Sequence, residues 1–139
     1  MRPICLAITT TVFLGLLVTG LPPRGNAATL LTQENVSRVA SLRNVTIGKS
    51  GEVSGEVVNH SKQTLRDVQL QILHSWRWKD EFRPGTDDPG AAAYYVIDKE
   101  ISPGQGVRFT YKPSALLPSR TDGHFETTVT IAGFAEVFR

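Results

Sequence analysis

The chain has 139 residues, 15 basic against 13 acidic, with three histidines, one cysteine and 40% hydrophobic residues. Arg2 and Arg24 both fall in the first 27 residues, so the remainder carries 13 basic and 13 acidic side chains and offers no clustered basic face for nucleic acid or anionic lipid. The lone Cys5 lies in the same stretch, which excludes a disulfide, a thiol nucleophile and a cysteine-bound metal from everything that follows.

Arg2 makes a positive start, Ile4 to Leu21 is uncharged and largely apolar, and Gly25-Asn26-Ala27 supplies small residues, the pattern of a signal peptide over residues 1–27. The expected location is therefore outside the cytoplasm, periplasmic or extracellular. The apolar run approaches the roughly 18–20 residues that span a bilayer, so a membrane is a partner only if this leader is retained as an anchor. Its Thr and Gly residues and the Pro22-Pro23 break favour cleavage. About 110 residues remain, enough for one domain and too few for two. Residues 28–41 read as a short N-terminal tether or a turn of helix, with Val36, Val39 and Ala40 the only hint of a helical stripe, and the domain is placed at 42–139.

From Leu42 the period of the apolar residues is two, the spacing of a strand with one buried face. Val45 and Ile47 alternate with Asn44 and Thr46, a turn at Lys49-Ser50-Gly51-Glu52 follows, and Val53, Gly55 and Val57 resume the pattern. After Asn59-His60-Ser61-Lys62, the residues Val68, Leu70, Ile72, His74, Trp76 and Trp78 share one face of a long strand, with Leu73 as the exception on the other. Residues 79–90 hold two Pro, two Gly and four acids and predict an exposed loop. Tyr94 to Ile97 is a β-prone run. Ser102-Pro103-Gly104 is a tight turn before Val107, Phe109 and Tyr111, and Phe125, Thr127, Val129 and Ile131 alternate in a final strand. About six or seven short strands without helical periodicity predict an all-β, immunoglobulin-like antiparallel β-sandwich.

The order Gly55-x-Val57-x-Asn59-x-Ser61, then Val68-x-Leu70-x-Ile72, then Ile101-x-Pro103-Gly104 and an aromatic strand resembles the FxLYD-type immunoglobulin-like domains of exported bacterial proteins. The similarity runs from about Leu42 to Val137, and the aromatic strand reads Phe109-Thr110-Tyr111-Lys112 in place of a literal Phe-x-Leu-Tyr-Asp string. The resemblance implies an accessory or interaction module of the cell envelope and carries no catalytic residues. The same residues have direct roles. Gly55 admits a ring close to the backbone, Asn59 bonds turn backbone, and Pro103-Gly104 presets a turn.

No constellation points to catalysis, a metal or a cofactor. His60, His74 and His124 lack ligand spacing, and no Gly-x-Ser-x-Gly elbow or Ser-x-x-Lys pair occurs. Asp80, Glu81, Asp87 and Asp88 lack the alternation of an EF-hand loop and read as a solvated run. Asn35, Asn44 and Asn59 begin Asn-x-Ser/Thr sequons that also suit turns and strand ends. The candidate binding residues are Trp76, Arg77, Trp78, Phe82, Tyr94 and Tyr95. Parity turns both Trp toward the core, where they close one end of the sandwich, whereas a strand overrunning the sheet offers them as a contact patch. The expected function is a non-catalytic protein–protein interaction module whose partner is another envelope or secreted protein. The alternative is a small-ligand site for carbohydrate or calcium.

Overall fold

A strand with alternating side chains gives its sheet one apolar face, and that face is buried only against a second layer. The computed structural model describes residues 33–138, and the expected signal peptide and residues 28–32 lie outside the described residues. The elements are α1 (Gln33–Val39), β1 (Ala40–Ile47), β2 (Val53–Asn59), β3 (Thr64–Trp78), β4 (Ala91–Ile97), β5 (Gly106–Tyr111) and β6 (Gly123–Val137). They build two three-stranded antiparallel sheets of order β1-β2-β5 and β4-β3-β6, packed face to face. Val53, Val57, Leu65, Val68, Leu70, Ile72, Ile97, Ile101, Phe109 and Ile131 form the core between them. Burying each such side chain contributes roughly 1.5–3 kcal/mol.

Of the segment read as a tether or a turn of helix, residues 33–39 form the helix α1. Glu34 opens α1 and Arg38 closes it, each at the end whose partial charge it complements, and the Arg38 guanidinium donates to the Glu34 carboxylate at 2.7 Å. Val36 is buried and Ala40 already belongs to the first strand, two residues before the periodicity of Leu42 begins.

Two left-handed residues reset the strand parity. Asn44 (φ 52°) sits where β1 gains one residue against β2, and Asp67 (φ 51°) where β3 shifts against β6. Such bulges let Leu42 and Val45, and likewise Leu65 and Val68, turn to the same side despite their odd separation. Ile47 lies directly across from the buried Val53 and so points inward, yet Val45 and Ile47 stay 39% and 46% exposed at the sheet margin. At Gly55, a Cβ would come within 3.1 Å of the Phe109 ring, so the absence of a side chain there is what seats that ring in the core.

Asn59 joins the two sheets. Its fully buried amide donates to the carbonyls of Gln63 (2.7 Å) and Ile101 (2.8 Å) and accepts from the amide (2.9 Å) and hydroxyl (2.8 Å) of Ser61. Its backbone bonds Gln105 and Gly104, while Ile101 exchanges both backbone bonds with Leu65 of β3. The turn from Ser102 to Gln105 closes with a 3.0 Å bond and has Gly104 at φ 73°, the geometry that Pro followed by Gly favours. Because Asn59 Nδ2 is buried and occupied, a glycan at this sequon is incompatible with the folded domain.

Replacing Asn59 with Ala removes its four side-chain hydrogen bonds from the buried turn, with the Gln63 carbonyl keeping only the Ser61 hydroxyl and the Ile101 carbonyl only the Leu65 amide as donors, and should cost roughly 2–4 kcal/mol, read as a lower denaturant midpoint at unchanged slope. Asn59→Asp sets a carboxylate oxygen against the same carbonyls, and at neutral pH it should lose at least as much.

Candidate functional site

Parity carries β3 past the core to the end of the sandwich, where Trp76 and Trp78 come to rest. Trp76 is buried, edge-on to Phe125 (centroids 4.7 Å apart) and to Trp78 (6.0 Å). Gly123 makes this possible, since a Cβ there would meet the Arg77 carbonyl and lie 2.6 Å from the Trp76 ring. Arg120 covers both indoles, its guanidinium carbon 5.4 Å from the Trp76 centroid and 5.2 Å from that of Trp78. The same guanidinium binds Asp122 beside β6 and Asp87 of the β3–β4 loop, the latter at 2.6 Å. Hydrogen bonding to Arg120 holds both carboxyls below their usual range and raises the guanidinium pKa.

The acidic loop is thus an anchored loop. Asp87 pairs with Arg120, Asp88 accepts the amide of Gly90 and Asp80 that of Phe82. Among the described residues no three His, Cys, Asp or Glu side chains come together in a metal-holding group. Gly85 lies against the benzo edge of Trp78, and Trp78, Lys79, Asp80, Arg83, Gly85 and Asp122 line an open depression of about 500 Å³.

His74 is buried one turn of the pleat before Trp76. Its Nδ1 is 2.8 Å from the Thr127 hydroxyl, and Nε2 is buried without a partner. Desolvation lowers its pKa, because a second proton would place a charge where nothing solvates it.

The outward side of β4-β3-β6 is chemically different from that of β1-β2-β5. On the latter, Arg43, Glu56 and Arg108 form one charged rung across the three strands. On the former, the rung Val96·Gln69 is followed by Tyr94·Gln71·Thr130 and then Ala92·Leu73·Thr128, with no charge in any of them. Leu73 is 41% exposed, Tyr94 60% and Val96 42%. Charge returns at either end, at Arg66 and Asp67 before Gln69 and at Arg77, which donates to Glu126 at 2.6 Å.

The six residues singled out in the sequence therefore separate. Trp76 and Tyr95 face inward, the latter packing against Phe109 and Tyr111 (centroids 6.4 and 6.0 Å). Trp78 is half-buried under Arg120, Phe82 stands 97% exposed on the loop, and Arg77 and Tyr94 face out on the sheet. Leu73, which its parity already places on the outward face, and Val96 are not among the candidate binding residues of the sequence, and both stand on this surface. Among the described residues no helix is long and apolar enough to cross a membrane. No family model, curated protein or solved structure matches the chain.

Because the native pKa of His74 lies below the unfolded value of about 6.5, its neutral form carries the stability, which is intact above that pH and declines as pH falls toward the native pKa. In chemical melts at stepped pH, His74→Gln should flatten the slope just below 6.5. Arg120→Gln should free the β3–β4 loop, seen as faster cleavage after Glu81 by a Glu-specific protease with the core transition retained. Acidification below about 4 should act in the same direction as Asp87 and Asp122 lose their charges.

Proposed function

We propose that this protein is an exported, non-catalytic β-sandwich module that works by protein–protein contact in the cell envelope, through the outward face of β4-β3-β6. The observation that carries this reading is the three-rung uncharged surface bearing Leu73, Tyr94 and Val96. A wetted sheet face normally alternates in polar and charged residues, as β1-β2-β5 does here, and an exposed tyrosine among aliphatic and amide side chains is the composition of a contact surface. Arg77 and Glu126 supply the polar rim. Phe82, on the adjoining loop, is a second apolar protrusion available to the same partner.

Export is supported by the charge, apolar run and small-residue site of residues 1–27. An immunoglobulin-like assignment of FxLYD type is supported by the facing orders β1-β2-β5 and β4-β3-β6 and by the meeting of Asn59, Ser61, Ile101 and Gly104 in one hydrogen-bonded knot. Those residues lie far apart along the chain and are the ones the resemblance rests on.

A photo-reactive amino acid at position 94 should crosslink one defined envelope protein in cells, and the same probe at position 108 on the opposite face should not. Leu73→Glu should abolish the crosslink while shifting Tm by only a few degrees, because Leu73 is already at the surface. Equal crosslinking from both faces, or none from position 94, would remove this reading.

A further inference from the structure

We infer that the depression at the Trp78 end of the sandwich binds a neutral sugar ring, packed against the indole and hydrogen-bonded by the charged side chains of its rim. This site lies among the loops, apart from the outward face of β4-β3-β6. Its lining is Trp78, Lys79, Asp80, Arg83, Gly85 and Asp122, and its volume of about 500 Å³ falls in the range of small-molecule sites.

The rim is fixed before any ligand arrives. Lys79 donates its backbone N–H to the Asp122 carbonyl (2.8 Å) and Arg83 donates its own to the Asp80 carbonyl (3.2 Å), while the Arg120 side chain ties Asp87 to Asp122. Walls held in this way lower the ordering cost of binding. Trp78 is half-buried, with the Arg120 guanidinium 5.2 Å from its centroid, and because Arg120 does not line the depression, the hollow takes the part of the indole that Arg120 leaves uncovered. Gly85 keeps that room open, since a Cβ there would lie 2.5 Å from the benzo ring.

The charges select the occupant. Lys79, Asp80, Arg83 and Asp122 give the rim cations and anions in equal number, and the two backbone bonds set Lys79 beside Asp122 and Arg83 beside Asp80. The signs are therefore interleaved, with no pole of either sign for a charged or dipolar ligand. An anion meets Asp80 and Asp122, a cation meets Lys79 and Arg83, and a purely apolar ligand strips water from all of them without return. Neither Lys79 nor Arg83 makes an ion pair among the described residues, and each Asp122 oxygen that accepts from Arg120 keeps a further lone pair. Donors and acceptors are both free, and a pyranose uses both. Its hydroxyls each donate and accept, while its axial C–H groups form an apolar face that covers an indole.

The test titrates the full chain with cellotriose, maltotriose, mannotriose and tri-N-acetylglucosamine and follows the Trp78 indole N–H and Gly85 amide resonances. At least one of these neutral trisaccharides should shift both signals saturably by about 10 mM, and trigalacturonate and choline, one of each charge, should bind at least about tenfold more weakly. Arg83→Met keeps the aliphatic stem and breaks no ion pair, so it should weaken binding about fivefold at an unchanged thermal transition. Trp78→Ala should abolish binding. Tyr94→Lys should leave it intact, which separates this site from the face proposed above. The inference is overturned by the lack of a saturable shift with all the trisaccharides at about 50 mM, by trigalacturonate or choline binding as tightly as the best of them, by shifts centred on Tyr94, or by Arg83→Met binding like the native protein.

Discussion

Everything in this domain hangs on a buried amide. Asn59 ends a strand of one sheet, and through the Ile101 carbonyl it is bonded to the segment that bridges Leu65 in the other. With no disulfide available, the two sheets are held together by apolar packing, which is strong but has no directional preference. The amide supplies the direction. All four of its side-chain hydrogen-bonding positions are filled, so a shift of either sheet breaks the bond to the Ile101 carbonyl and leaves a buried amide N–H without an acceptor, and the cost of that favours one register of the layers.

From that register follows the division of labour among the aromatic residues. One parity of β3 enters the core and ends in Trp76 and Trp78, which Arg120 covers and, through Asp87 and Asp122, binds to the loops on either side. These rings are a lid on the sandwich. The opposite parity emerges as an uncharged surface on which Tyr94 is the largest group, its hydroxyl accepting from Gln71. The uncharged surface thus lies on the back of the sheet whose front is the core.

Much of the core was legible in the sequence. Val68, Leu70, Ile72 and Trp76 alternate without interruption, and each is buried. The turn residues were legible as well, because Pro103-Gly104 and Asn59-x-Ser61 have narrow conformational uses. Val36 was not, since seven residues show too little of a helical period to separate a docked turn of helix from a tether. Nor was the partial exposure of Val45 and Ile47. Their inward parity is correct, but burial depends on what lies opposite, and both stand at the sheet margin, 39% and 46% exposed.

Strand pattern, turn chemistry and the absence of a staple or reactive thiol after Cys5 are properties that the amino-acid order determined alone, because each depends on neighbours a few residues away. Which aromatic residue is lid and which is surface, which edge is left unpaired, and which acid meets Arg120 were decided only in the tertiary structure. Those outcomes turn on contacts between residues tens of positions apart. Asn44 and Asp67, two single-residue bulges that no local periodicity announces, decide on which side of the sheet the residues after them emerge.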